Sequence, residues 1–109
     1  MKKLKNLNDI ENEITQNDAL LLYITSPNCN VCEVLKPKIE ELFSKEFPKI
    51  KLIESDISET PELGGKFNIF SAPTILIFFD KKEFLREGRN VSLSLLKEKI
   101  QKIYKLYFG

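Results

Sequence analysis

Histidine and tryptophan are absent from this chain, methionine occurs once, and cysteine occurs only twice, at Cys29 and Cys32. Tetrahedral zinc takes four ligands, so a chain with two cysteines and no histidine cannot complete such a site alone. Zinc or an iron–sulfur cluster would have to be shared with a second subunit. An excess of one charge is also missing: 17 basic and 16 acidic residues leave a net +1. That balance provides no electrostatic footprint for nucleic acid. No apolar stretch approaches the ~20 residues that span a bilayer. The Lys2, Lys3, Lys5 cluster is followed by Asn6, Asn8, Asp9, Glu11 and Glu13, not by the apolar core of a signal peptide, and reads as a solubilising terminus. The expectation is a cytoplasmic monomer with neither nucleic acid nor membrane as partner. In that reducing compartment, cysteine pairs are usually catalytic or metal-binding.

What is present is the composition of an ordinary globule, with 42% apolar and 30% charged residues in 109 positions. This length suits one domain, residues 1–109, able to bury a core without disulfide staples. A loop as short as that between Cys29 and Cys32 would restrain the unfolded chain little. The pair therefore asks for a chemical explanation.

Along the chain, Asn8 or Asp9 is placed to cap a short helix with Ile10 and Ile14 on one face. Ala19 to Ile24 is an unbroken apolar run, the pattern of a strand covered on both faces. Thr25-Ser26-Pro27-Asn28 ends it as a turn. From about Cys29 to Phe47 the period changes. Val31, Val34, Leu35, Ile39, Leu42, Phe43 and Phe47 recur at helical spacing, with Pro37 inside the pattern and Pro48 ending it. Ile50 to Ile57 reads as a second strand. Thr60, Pro61 and Glu62 read as the cap and first turn of a short helix weakened by Gly64 and Gly65. Thr74 to Phe79 is another continuous apolar run. Asp80-Lys81-Lys82 follows as a turn, Glu83 to Glu87 as an edge strand, and Gly88 as a bulge or sharp bend. Ser92 or Ser94 caps a last helix carrying Leu93, Leu96, Ile100, Ile103 and Tyr107. Phe67, Phe70, Phe78, Phe79 and Phe84 are assigned to the core, and Tyr104, Tyr107 and Phe108 to packing of the last helix. Strands separated by helices imply parallel crossovers, and the closely joined final pair an antiparallel hairpin. The fold class is α/β, with a mixed central sheet of four to five strands flanked by about four helices.

The Cys29-Asn30-Val31-Cys32 segment falls where a strand meets a helix. An offset of three places both sulfurs on one side of the first helical turn. Free amides there favour a thiolate on Cys29, the outer sulfur, and such placement lowers a cysteine pKa from about 8.5 to roughly 3.5–7.5. Cys29 would attack a substrate disulfide and Cys32 would resolve the mixed disulfide.

In these features the chain resembles the thioredoxin superfamily. The resemblance rests on the strand running through Tyr23-Ile24-Thr25-Ser26-Pro27-Asn28 into Cys29-Asn30-Val31-Cys32, on Pro37, and on Ser71-Ala72-Pro73-Thr74 opening the next central strand, with Gly88 near the end of the last strand. It covers nearly the whole chain and implies the thioredoxin fold. It also implies a cis Pro73 facing the cysteines, with Ala72 as a backbone contact for substrate. Asn28, Asn30, Val31, Ala72, Pro73, Gly88 and Arg89 become the expected docking rim, and Cys29 and Cys32 the catalytic pair. The implied activity is protein-disulfide reduction with no cofactor beyond the redox-active disulfide. Disulfide-containing proteins are the implied substrates and a thioredoxin reductase the implied electron donor.

Departures from the family pattern are specific. Asn28 stands where a Trp is usual, and Tyr23 where many members have a buried Asp that assists the second cysteine. Glu54 stands where a Lys often faces that Asp, and Asn30-Val31 replaces Gly-Pro. Glu33 follows the motif directly and opposes a nearby thiolate; Lys36 is expected to offset it, and Glu54 is a candidate proton acceptor. Ser-Ala-Pro replaces the Thr-Val-Pro of glutaredoxins. The rival reading is a binding module that keeps the fold for protein contact, with the cysteines bridging a metal between chains.

Overall fold

The run Ala19–Thr25 (β2) becomes the middle strand of a sheet, and its residues from Ala19 to Ile24 are all buried in a computed structural model describing residues 1–109. Alternation along the strand assigns its side chains to two cores. Ala19, Leu21 and Tyr23 join the larger core. Leu20, Leu22 and Ile24 join the other, with Ile10, Ile14 and Leu63. The uniform apolar run thus reflects helices on both faces, as expected of a central α/β strand.

The elements before and after β2 are β1 (Lys2–Lys3), α1 (Leu7–Gln16), α2 (Asn30–Glu46), β3 (Lys51–Asp56), α3 (Glu62–Phe67), β4 (Thr74–Phe79), β5 (Lys82–Glu87) and α4 (Leu93–Phe108). The sheet is five-stranded in the order β1-β3-β2-β4-β5. β1 and β2 flank β3 in parallel, whereas β4 lies antiparallel to both β2 and β5. Helix α2 makes the crossover between parallel β2 and β3 that a short turn cannot make. It docks through Leu35, Ile39 and Phe43, each of which contributes roughly 1.5–3 kcal/mol when fully buried. α4 covers the same face through Leu96 and Ile100.

The β4–β5 hairpin closes through Asp80 and Lys81, both at positive φ (51° and 68°). Positive φ at both central residues matches the right-handed strand twist, and Asp is among the residues that tolerate it.

Several expectations need correction. The first helix is capped by Asn6, whose side chain accepts from the Asp9 N–H at 2.8 Å, not by Asn8 or Asp9. Lys2 and Lys3 are not merely a solubilising terminus. They pair with Ile53 and Glu54 as a short edge strand, which buried Leu4 then anchors. The Thr60 and Ser55 hydroxyls share a hydrogen bond at 3.0 Å, so Thr60 does not cap α3 with its side chain. The bulge in the last hairpin lies at Phe84, the extra residue where Ile77 and Phe78 pair with Leu85 and Glu83, while Gly88 opens the sharp bend after β5. Phe84 and Phe70 are 44% and 80% exposed, so neither belongs to the core. Val34, placed on the apolar helix face by its spacing, is 59% exposed. Tyr104, Tyr107 and Phe108 do pack, with Phe47 and Phe79, although Tyr107 keeps an exposed edge.

Candidate active site

β2 leaves the core at Thr25, and Ser26, Pro27 and Asn28 turn the chain into α2. Asn28 takes the left-handed conformation (φ 58°), which Asn adopts more readily than most side chains. Cys29 then occupies the cap of α2 in extended conformation, and its sulfur accepts from the Cys32 N–H at 3.2 Å. The cysteines are joined as a disulfide, with Cα atoms 5.3 Å apart. Cys32 is 3% exposed while Cys29 is half-buried, so the outer sulfur is the one open to attack. The amide that contacts Cys29 Sγ is also the group that would hold a thiolate there after reduction, reinforced by the helix dipole.

Under the disulfide lies Tyr23, fully buried, whose hydroxyl donates to the Cys32 carbonyl at 2.7 Å. Burial, with a smaller contribution from the Glu54 charge, pushes its pKa up to about 12. Tyr23 is therefore a neutral brace for the first turn of α2 at physiological pH. Glu54 sits opposite Tyr23 in the β2–β3 register. Its carboxylate is held by Lys36 Nζ at 2.6 Å. Lys36, expected to offset Glu33 beside the thiolate, instead neutralises Glu54 beneath the helix. Glu33 itself is exposed at the surface.

The second wall comes from the start of β4. Thr74 pairs with Ile24, so the loop before β4 and the loop after β2 leave the sheet at the same end. There the Ala72–Pro73 peptide is cis. Pro73 is buried, and Ala72 packs on the same core cluster as Cys29. Gly88, just beyond β5, faces the Pro73 carbonyl, which would lie 3.8 Å from a β-carbon placed there. The Gly88 carbonyl accepts from Val91 N–H at 3.2 Å and turns the chain toward α4.

Asn30, Val31 and Arg89 line one groove of about 400 Å³. Sequence reasoning missed the five other residues of its wall, Val34, Leu35, Lys38, Val91 and Leu93. The available signal was Val34, an apolar residue one turn beyond Val31 near the start of α2. Asn28, Ala72, Pro73 and Gly88 do not line this groove. Gly88 also borders a second hollow with Phe70 and Ser71. The Tyr23 hydroxyl contact had no local sequence signal.

A half-buried sulfur at a helix start, bonded to a buried one a turn inward, is built to open and close by thiol–disulfide exchange. The thioredoxin family profile matches residues 2–102. The chain is similar to the thioredoxin-like protein YdfQ of Bacillus subtilis, 38% identical over 109 residues, covering 100% of this chain and 96% of that protein. It is 32% identical over 66 residues to the thioredoxin of the same organism, covering 61% of this chain and 64% of the other. Among solved structures, oxidised thioredoxin from Plasmodium falciparum superposes with a TM-score of 0.81 at 26% identity, covering 95% of this chain and 98% of that one. The chain belongs to the thioredoxin family and is a thiol–disulfide oxidoreductase.

Proposed function

We propose that the protein is a protein-disulfide reductase. The observation that supports this reading most directly is the asymmetry of the pair, a half-buried Cys29 Sγ at the cap of α2 and a buried Cys32 behind it. In the reduced protein the Cys29 thiolate attacks one sulfur of a target disulfide. A Cys29–substrate disulfide forms and the first substrate thiolate leaves. Cys32 then gives up its proton and attacks Cys29 Sγ, releasing the second thiolate and closing the Cys29–Cys32 bond. Two electrons pass from the protein to the substrate, with one proton from Cys32; a second proton from solvent completes the two substrate thiols.

In this proposal Ala72 offers its backbone to the substrate chain beside Pro73. Asn28, Asn30, Val31, Gly88 and Arg89 complete the rim. The redox disulfide is the only prosthetic element, the protein works as a cytoplasmic monomer, and a thioredoxin reductase returns it to the dithiol. The test is reduction of insulin disulfides with dithiothreitol as electron source, followed by precipitation of the freed B chain. The wild type should accelerate precipitation and Cys29→Ser should not; no acceleration by the wild type would defeat the reading.

A further inference from the structure

The groove beside the disulfide carries a charge pattern that the exchange reaction itself does not require. Val31, Val34, Leu35, Val91 and Leu93 form its apolar wall, while Lys38 and Arg89 supply its only charges. Val34 stays 59% exposed there. Neither cation has a carboxylate partner within the chain. Arg86 offers a contrast, because its guanidinium is committed to Glu83 and to the carbonyls of Phe67 and Asn68. Lys38 also borders the neighbouring hollow, whose two carboxylates are taken by other lysines, Glu41 by Lys45 and Glu46 by Lys97. The groove is therefore an apolar trough edged by uncompensated positive charge, and the helix start beside it adds to the same sign.

We infer that this groove is the docking subsite for substrate segments that present an apolar side chain with an acidic neighbour, within a few residues of the target cysteine. The inference rests on the reductase reading above and names the substrate class that reading leaves open. The apolar residue covers Val34 and Val91, removing their surface from water. The acidic neighbour meets Lys38 and Arg89, which lie exposed until then and steer the approach. Arg89 offers a planar fork to a carboxylate and Lys38 a mobile point charge. The groove begins at Asn30 and Val31, next to Cys29, so a bound chain rising about 3.3 Å per residue reaches it without leaving the reacting sulfur.

Two short peptides serve as probes, each with one cysteine held as a mixed disulfide with 5-thio-2-nitrobenzoate. They share a Leu near the cysteine and differ only in a Glu or a Lys beside that Leu. The reduced protein attacks the peptide sulfur and releases the coloured thiolate, which gives a second-order rate constant. The wild type should favour the Glu peptide by about tenfold at low salt, equivalent to about 1.4 kcal/mol. The preference should shrink below about twofold in 1 M salt, where the screening length falls to about 3 Å. In K38E/R89E the Glu-to-Lys ratio should invert; both positions are exposed and free of ion pairs, so folding is not at stake. Because the ratio is taken within one preparation, any general change in thiol reactivity cancels. K105E makes half that charge change far along α4 and should keep the wild-type ratio.

Equal rates for the two peptides, a ratio unmoved in K38E/R89E, or a K105E shift as large as the K38E/R89E shift would overturn the inference while leaving disulfide exchange intact. Failure of the wild type to react with either peptide would instead overturn the reductase reading beneath it.

Discussion

Tyr23→Phe gives a pH-dependent stability change whose sign reverses. The substitution removes one hydroxyl that donates to the Cys32 carbonyl and leaves the ring in the core. Loss of that bond costs about 1 kcal/mol near neutral pH. Ionisation works the other way. Burial raises the folded pKa of Tyr23 from the ordinary 10.0 to about 12, so the folded state holds this proton more tightly than the unfolded chain does. The resulting stability is fully present below pH 10 and lost as pH rises toward 12. At pH 11.5 the loss is about 2 kcal/mol, because each unit of separation is worth about 1.36 kcal/mol and most of the 2-unit window has been crossed. Tyr23→Phe has no such proton to lose. Urea unfolding of the oxidised proteins between pH 8 and 11.5 should show the wild type about 1 kcal/mol more stable at first. The two stabilities should meet at about pH 11, and the variant should be the more stable by about 1 kcal/mol at pH 11.5. Other tyrosines and lysines titrate in both proteins and cancel in the difference. A constant gap across the whole range would show that Tyr23 ionises normally in the folded protein, and would refute the buried neutral brace.

Two further substitutions probe the surroundings. Lys36→Met leaves Glu54, whose side chain is 11% exposed, without its counter-ion; Lys36 is itself 34% exposed. That partial exposure reduces the cost below the 3–5 kcal/mol of a fully buried broken pair, to about 1–3 kcal/mol. Adding Glu54→Gln should recover most of the loss in denaturant unfolding, and a double variant no more stable than Lys36→Met would count against the pairing. Gly65→Ala should raise stability by about 0.5–1 kcal/mol, because a β-carbon there meets nothing within 4 Å and α3 gains a better helix former. Gly64→Ala should fall short of that gain, since its β-carbon would approach the Ile69 carbonyl at 3.3 Å. Thermal unfolding of the two variants side by side decides between these outcomes.

The sheet and the cysteine pair were legible because their causes are local. Continuous burial on two faces leaves unbroken apolar runs at Ala19–Ile24 and Thr74–Phe79, and a strand-to-helix change of period brackets Cys29 and Cys32. Resemblance then located Pro73, whose peptide bond with Ala72 is cis. What escaped depends on partners distant in sequence. Lys2 and Lys3 join the sheet through their backbone, while their exposed side chains pair with Glu13 and Glu59, so nothing in their identity marks a strand. Phe70 and Val34 are apolar yet exposed, each lining a surface hollow instead of the core. Apolar spacing alone does not distinguish such a surface from core. Lys36 could be placed on α2 by its spacing, but its choice of Glu54 over the vicinity of Glu33 is decided by how α2 lies across β3.

The central claim is that Cys29 attacks and Cys32 resolves. Reduced Cys32→Ser protein, mixed with an accessible disulfide-containing protein and analysed by mass spectrometry without reductant, tests it most directly. The account predicts a one-to-one covalent adduct that maps to Cys29 and is released by dithiothreitol, with Cys29→Ser giving far less. Absence of an adduct in Cys32→Ser, or equal trapping by Cys29→Ser through Cys32, would contradict it.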